Sequence, residues 1–393
     1  LTLDYTNPSG GGGGATSYDG FDRFGRIVHQ KWTNAAGTTV RDHYTYGYDR
    51  AGNRTYRENA LTSAKDELYS HDGLHRLAGF ERGDLNAGKT AISTLAFEQD
   101  WGLSSLGNWR TFDQDDDGDA TFDLQQTRTH NAVNEITGIT GGGWIDPSHD
   151  EAGNMIEMPK PGAEATRLWA VYDAWNRLVE VYEDDGDGTK ELGTDDDLLV
   201  THTYDGLHRR VRRIVAGTPD VEYDHYYNTN WQLLETRRDE DADPLKQFVW
   251  DLRYIDAPIV RFRDGNTDDD YADAGDDVLY YVNDGSFSVT ALIDASTGSV
   301  VERYEYTPYG KRTVLQPSFA DHATDTVSGS YDNHRGFQGL AHCPVTQLVD
   351  QRTRPWGFGV GRFMTKDWDG YPDGYNAYAG YHVMWGGVDP NGT

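Results

Sequence analysis

Cysteine is nearly absent from this chain: Cys343 stands alone, so no disulfide can form within the 393 residues. No apolar run approaches the roughly 18 residues that a helical membrane span needs. Basic residues are scarce, 35 against 65 acidic ones, and the formal net charge is −30. A field of that sign repels a phosphate backbone, so no nucleic-acid partner is expected. It would instead attract divalent cations or a basic passenger. Catalytic signatures are missing as well. There is no H-E-x-x-H, no G-x-S-x-G and no phosphate-cradling loop, and His202, His208 and His225 lack metal-ligand spacing. Leu1 is not an initiator methionine and no signal peptide follows it, so the chain is expected to be a piece of a longer polypeptide.

What the chain has in quantity is glycine, 45 residues, and tyrosine, 25. Glycine supplies turns that need positive φ, and tyrosine suits a pleated, half-buried surface. Together with a hydrophobic content of only 36%, they predict many short strands joined by tight turns. A repeat confirms the pattern. Tyr or His, then Asp or Asn, then a turn and an alternating tail recur from Tyr18, Tyr48, His71, His130, His149, Tyr172 and Tyr204. The spacing is ragged, roughly twenty-odd residues, with insertions in the longer gaps.

Each copy reads as strand, turn, strand. The Asp carboxylate can accept from the backbone two residues on, and a following Gly or Asn can take the left-handed conformation that closes the turn. Tails such as Leu178-Val179-Glu180-Val181-Tyr182 alternate, so one face points inward. A lone hairpin is marginal in water, so the hairpins must stack. The recurring Tyr and His are read as packing residues, with a ligand-stacking surface as the alternative. Sugar binding by the 11 Trp and 25 Tyr is the weaker reading, because the repeat accounts for most of those aromatics.

Gly10 to Gly14 form a linker by composition. Three acidic stretches interrupt the repeats. Asp113, Asp115, Asp117 and Asp119, with Gly118 between, match the first half of a calcium loop, but Leu124 holds the position that needs a bidentate Glu, beside Asp123. Glu183 to Gly188 is a second partial match, with Thr194 at that last position, and residues 264–270 are weaker still. Calcium is the one cation these loops suggest, and weak binding or none is expected. Val278 to Arg312 is strongly β, with a hairpin turn over Asp294 to Gly298, and residues 313–334 look like a polar, irregular connection.

The last sixty residues are the most specific part. They run R-G-F-Q-G-L-A-H-C-P-V-T-Q-L-V-D-Q-R-T-R-P-W-G-F-G-V-G-R-F from Arg335 and close on Val388-Asp389-Pro390-Asn391-Gly392-Thr393. Phe337, Gly339, Thr346, Leu348, Arg354, Gly361, Arg362, Phe363, Asp367, Gly370, Asn376 and Tyr378 fall in one register on the pattern of the Rhs/YD-repeat family. The chain resembles that family from about residue 18 onward. The family includes the C components of insecticidal Tc toxins and the teneurins.

The resemblance implies an all-β fold, a spiral of stacked hairpins forming a hollow shell and closed by a C-terminal core segment. It divides the chain into an N-terminal linker (1–17), a repeat shell with acidic insertions (18–277), a pre-core β segment (278–334) and the core (335–393). It also implies a job: enclosing a C-terminal toxin or effector that begins after Thr393 and is freed by one aspartyl self-cleavage. The roles fall on Arg354, Asp367 and Asp389, with the cut after Thr393. No cofactor is required for that reaction. Partners would be the chain's own passenger and a delivery or shell-capping protein, outside the cell or at its surface. Departures occur at Pro355-Trp356, where the family has Tyr-Tyr, at Trp368, where it has Pro, and at Cys343, where it has Asp. The rival class is an extracellular structural or adhesive module with the same shell, as in the teneurins, with calcium in its acidic loops.

Overall fold

The turn that punctuates the repeats dictates how the chain folds. At Asp72, carboxylate Oδ1 accepts the backbone N–H of Leu74 at 2.8 Å and of Arg76 at 3.0 Å. Oδ2 accepts from Arg76 Nε at 2.8 Å, and Arg76 Nη1 reaches on to the Ser104 carbonyl of the following repeat at 2.6 Å. The same arrangement ties Asp173 and Arg177 to the Asp205 carbonyl, and Asp205 and Arg209 to that of Asn228. One short side chain thus fixes its own turn, and its arginine orders the next.

Three residues after the turn opener, the backbone is left-handed. Gly25, Gly52 and Gly153 take φ of 78°, 102° and 90° there, but so do His75, His208, Trp231 and Phe287 at 62–65°. The tyrosine before the opener has an equally defined task. Tyr172 Oη donates to the Met155 carbonyl at 3.0 Å, Tyr204 to that of Leu178 at 2.8 Å, and Tyr306 to that of Val289 at 2.7 Å. Ring and hydroxyl together pin each hairpin to its predecessor. The tyrosines are packing residues.

A computed structural model describes residues 1–5, 20–266, 268, 271, 273, 275–322, 329–370 and 374–380. The chain is all-β, as the sequence predicts. Its strands form two long antiparallel sheets in simple chain order. One has ten strands, from Thr2–Asp4 to Ile136–Thr140, and the other fourteen, from Ser148–His149 to Arg312–Leu315. Among the described residues the helical elements are two three-residue 3-10 turns, Ser63–Lys65 and Phe337–Gly339. No helix there is long and apolar enough to cross a membrane, which says nothing of strand-built spans.

The start of the first sheet folds against the end of the second. Gln30 Nε2 and Trp32 Nε1 both donate to the Asn283 carbonyl at 2.8 Å, and Arg57 pairs with Asp284 at 3.0 Å. Trp32 packs on Val282, Ala291 and Ile293. The spiral is closed by these contacts and filled from residue 335 on.

That filling is a four-stranded sheet, Ala341–His342, Val349–Gln351, Arg354–Gly357 and Arg362–Phe363. Its Val349, Trp356 and Phe363, with Leu340 just before it, join Phe80, Trp101, Trp109 and Phe112 of the first sheet in one core. Leu348, Val360 and Met364 join Met155, Leu168 and Val181 of the second. Gly361 allows this fit: its φ is +68°, and a Cβ there would sit 2.1 Å from the Trp109 ring.

One reading needs correction. Residues 313–334 are not simply a connection, since Arg312–Leu315 pairs with Arg303–Tyr306 and Asn333 is fully buried. Asn333 escapes notice because its polar atoms are satisfied internally, accepting from Tyr281 Oη at 3.2 Å and donating to the Arg335 carbonyl at 2.8 Å. In the first repeat a turn opens on Asp22, which holds the N–H groups of Phe24 and Arg26; Tyr18, where the sequence pattern begins, lies outside the described residues.

Candidate functional site

The C-terminal segment is docked on the turns of the repeats. Arg362 Nη2 donates to Asn108 Oδ1 at 2.8 Å and Nη1 to the Asn134 carbonyl. Asn376 Nδ2 donates to the Leu106 carbonyl at 3.0 Å, and Tyr378 Oη to that of Gly153 at 2.7 Å. Burial lowers the Arg362 guanidinium to about 10. A buried cation held by neutral carbonyl and amide oxygens is costly alone, so this docking depends on every one of those bonds.

Within the docked segment, Arg354 and Asp367 come together. Arg354 opens the strand Arg354–Gly357, and its Nη2 lies 3.1 Å from Asp367 Oδ2. The guanidinium carbon sits 3.6 Å from the centre of the Phe363 ring. Nη1 donates to the Ala377 carbonyl at 2.9 Å, and the Asp367 N–H donates to the same oxygen at 3.0 Å. Asp367 Oδ1 accepts the Asp369 N–H at 2.9 Å. A planar cation on an aromatic face, gripping one carboxylate, is a rigid arrangement that lysine would not reproduce. Asp389 and Thr393 lie outside the described residues.

The departures at Pro355 and Trp356 serve packing. Trp356 is fully buried, stacks parallel to Tyr309 and donates from Nε1 to the Tyr309 carbonyl at 2.9 Å. The Pro355 carbonyl accepts the Met364 N–H at 2.9 Å. Trp368, by contrast, is 72% exposed.

In the first acidic insertion, Asp115 and Asp117 each bring a carboxylate oxygen near one from Asp123, all within 4.8 Å of one another. Asp113 is not in that group; it lies on the strand Trp109–Asp115, opposite Asp100. Asp119 accepts from the Thr121 N–H instead. Asp115 already serves the N–H groups of Asp117, Gly118 and Ala120. A second trio comprises Asp184, Asp185 and Asp187. Asp123, adjacent in sequence to the expected position, is the oxygen donor that the calcium-loop template does not select.

Sequence reasoning also misses a cationic cavity, lined in part by Arg210, Arg213, Lys246, Arg335 and Arg352. Arg210 and Arg213 share one strand, Lys246 lies on another, and Arg335 and Arg352 lie outside the strands, so no local spacing signals the group.

No protein-family model matches the chain. Toxin protein Tse5 of Pseudomonas aeruginosa is 27% identical over 197 residues, which is 50% of this chain and 11% of Tse5. Among solved structures, TcdB2-TccC3-Cdc42 and TcdB2-TccC3 each superpose on 95% of the chain with a TM-score of 0.69 and 17% identity. TcdB2-TccC3 without its hypervariable C-terminal region superposes on 94%, with a TM-score of 0.58 and 16% identity. The chain spans only 18% of the chain in each of those structures. These structural likenesses establish the fold of the described residues.

Proposed function

We propose that the chain, which resembles the Rhs/YD-repeat family and is similar to Tse5 in sequence and to TcdB2-TccC3 in fold, forms the closing end of a shell around a C-terminal toxin or effector and frees that passenger by cutting itself after Thr393. The observation that carries this reading is the buried contact between Arg354 and Asp367, 3.1 Å, inside a segment anchored to the repeat turns. Asp389 supplies the second carboxylate. One of the two carboxylates takes a proton from water as its oxygen attacks the Thr393 carbonyl carbon. The other donates a proton to the departing nitrogen, so water is added across one peptide bond. Arg354 keeps Asp367 in place and steadies negative charge developing on the carbonyl oxygen. The reaction happens once per molecule. Location outside the cell or at its surface, and a partner that delivers or caps the shell, belong to the same reading.

The test is intact-mass measurement on freshly made protein that continues past Thr393 with its native sequence. Wild type is expected as two pieces divided after Thr393, and Asp389→Asn as one. A wild type that stays whole, or Asp367→Asn and Asp389→Asn variants that both still cut, overturns the assignment. On a sizing column without denaturant the two pieces should travel together, since enclosure does not depend on the broken bond.

A further inference from the structure

The cavity near the C-terminal segment holds a charge arrangement that the proposed cleavage does not use. In a chain of net charge −30, it is faced by arginines and a lysine. Most have carboxylate partners. Arg210 pairs with Asp350 at 2.8 Å, Lys246 with Asp332 at 2.6 Å, and Arg352 grips Asp256 through two bonds of 2.6 and 2.9 Å. Arg209, at the rim, pairs with its turn opener Asp205 at 2.6 Å.

Arg213 and Arg335 are different. Arg213 is 5% exposed, and among the described residues its guanidinium meets no hydrogen-bond acceptor. It lies over the Tyr223 ring at 4.6 Å, and its Nε is fully enclosed. Arg335 lies over the Trp250 ring at 4.8 Å. The acids closest in effect to Arg335, Asp256 and Asp350, are already held by Arg352 and Arg210. Two guanidinium groups therefore face one cavity with no carboxylate of their own. Burial pulls both below the usual arginine value. Aromatic faces offset only part of the cost of desolvating a cation.

The cavity is about 90 Å3, several times the roughly 10–15 Å3 that one water requires. We propose that it is an oxyanion site that holds one inorganic dianion of the phosphate or sulfate type between Arg213 and Arg335. Two uncompensated cations match a double negative charge, whereas a carboxylate would cancel only one. Guanidinium forks donate paired N–H groups to such oxygens. His225 and His342 line the same space, and burial pushes both far below the ordinary histidine value, so they add donors or acceptors without adding charge.

The test is thermal unfolding and titration calorimetry of the purified protein with inorganic phosphate from micromolar to millimolar levels, at constant ionic strength set with chloride. Wild type should gain stability saturably, and Arg335→Gln should weaken phosphate binding by about tenfold or more, the effect of losing a charge-assisted pair. In phosphate-free buffer Arg335→Gln should melt no lower than wild type, because the substitution removes an unbalanced charge. Arg213→Met should behave alike; should it fail to fold, Arg335→Gln decides alone. An unsaturated rise equal in wild type and variant overturns the proposal, as does acetate binding as tightly as phosphate. Marked loss of stability by Arg335→Gln without phosphate also overturns it, since that would mean the charge is already balanced.

Discussion

Arg354 Nη2 stands 3.1 Å from Asp367 Oδ2, with side chains only 3% and 6% exposed, and both residues meet again at the Ala377 carbonyl. The pair is therefore structural as well as a candidate for chemistry. Asp367→Asn leaves the guanidinium buried beside a neutral amide, and breaking such a pair from one side costs about 3–5 kcal/mol. We expect that loss in urea unfolding whether or not the chain can cut itself. Arg354→Lys keeps the charge but loses the fork, so it should slow cutting more than it lowers stability. If Asp367→Asn unfolds at the wild-type urea concentration, the ion pair contributes nothing and the site is not preorganised by it.

The turn openers can be tested individually. Asp205 Oδ1 accepts from the Leu207 and Arg209 N–H groups at 2.8 and 3.0 Å, and Oδ2 accepts from Arg209 Nε at 2.7 Å. Asp205→Ala removes these bonds together with the Arg209 ion pair at 2.6 Å, and a loss of about 1–2 kcal/mol is expected. Asp205→Asn keeps an oxygen for the backbone and should retain most of the stability. Equal losses in the two variants would show that charge, not turn geometry, is what Asp205 supplies.

The repeat was legible where its opener is Asp or Asn behind Tyr or His, as at Asp205 and Asn131, and illegible where either residue of that pair is replaced. Ser104, behind Leu103, holds the N–H groups of Leu106 and Asn108, and Asp284, behind Asn283, those of Ser286 and Ser288. Thr307 accepts from the Lys311 N–H in the same way. Hydrogen-bond geometry is conserved through these turns while residue identity is not, so a letter pattern finds only some of them. The candidate site is harder still. Nothing in the spacing of Arg354 and Asp367 requires contact; only the resemblance named them together. Arg213 and Arg335 carried no sequence signal, because a charge left without a partner is a property of the folded neighbourhood.

Left-handed positions without glycine offer a stabilising change. His208 takes φ of 65° three residues after its opener, where Gly25, Gly52 and Gly153 sit elsewhere. A side chain in that conformation costs about 1–2 kcal/mol relative to glycine. His208→Gly should therefore raise the unfolding free energy, by about 0.5–1 kcal/mol after the added freedom of the unfolded chain is subtracted. Differential scanning calorimetry of the two proteins checks it. A lower melting temperature for the glycine variant would mean that the imidazole contributes packing that outweighs the strain.

Acid should weaken the fold from pH 6.5 downward, although Asp66, pushed up to about 6 by burial, opposes the trend. Burial pushes His149 from the ordinary 6.5 down to about 4, against the pull of Glu135. Burial, then Arg362 and Arg128, takes His130 to about 3, and burial with Lys246 nearby does the same to His334. Each is a base whose folded value is depressed. Between pH 6.5 and about 4 the unfolded chain binds protons that the folded chain refuses, so stability falls as pH falls through that window. Above it the histidines are neutral in both states and add no slope. Each histidine charged only on unfolding contributes up to about 1.4 kcal/mol per pH unit, less where water reaches the ring. Urea unfolding at pH 7 and pH 5 should show the drop. His149→Gln, which cannot take up a proton in either state, should make the slope shallower. His149 lies edge-on to Tyr378, whose hydroxyl ties the C-terminal segment to Gly153. Acid should therefore loosen that segment before the sheets open, and protease should cut near residue 378 at pH 5 sooner than within the repeats. Stability that stays flat from pH 6.5 to 4, with the segment still protected, would mean that these rings protonate within the folded chain without cost.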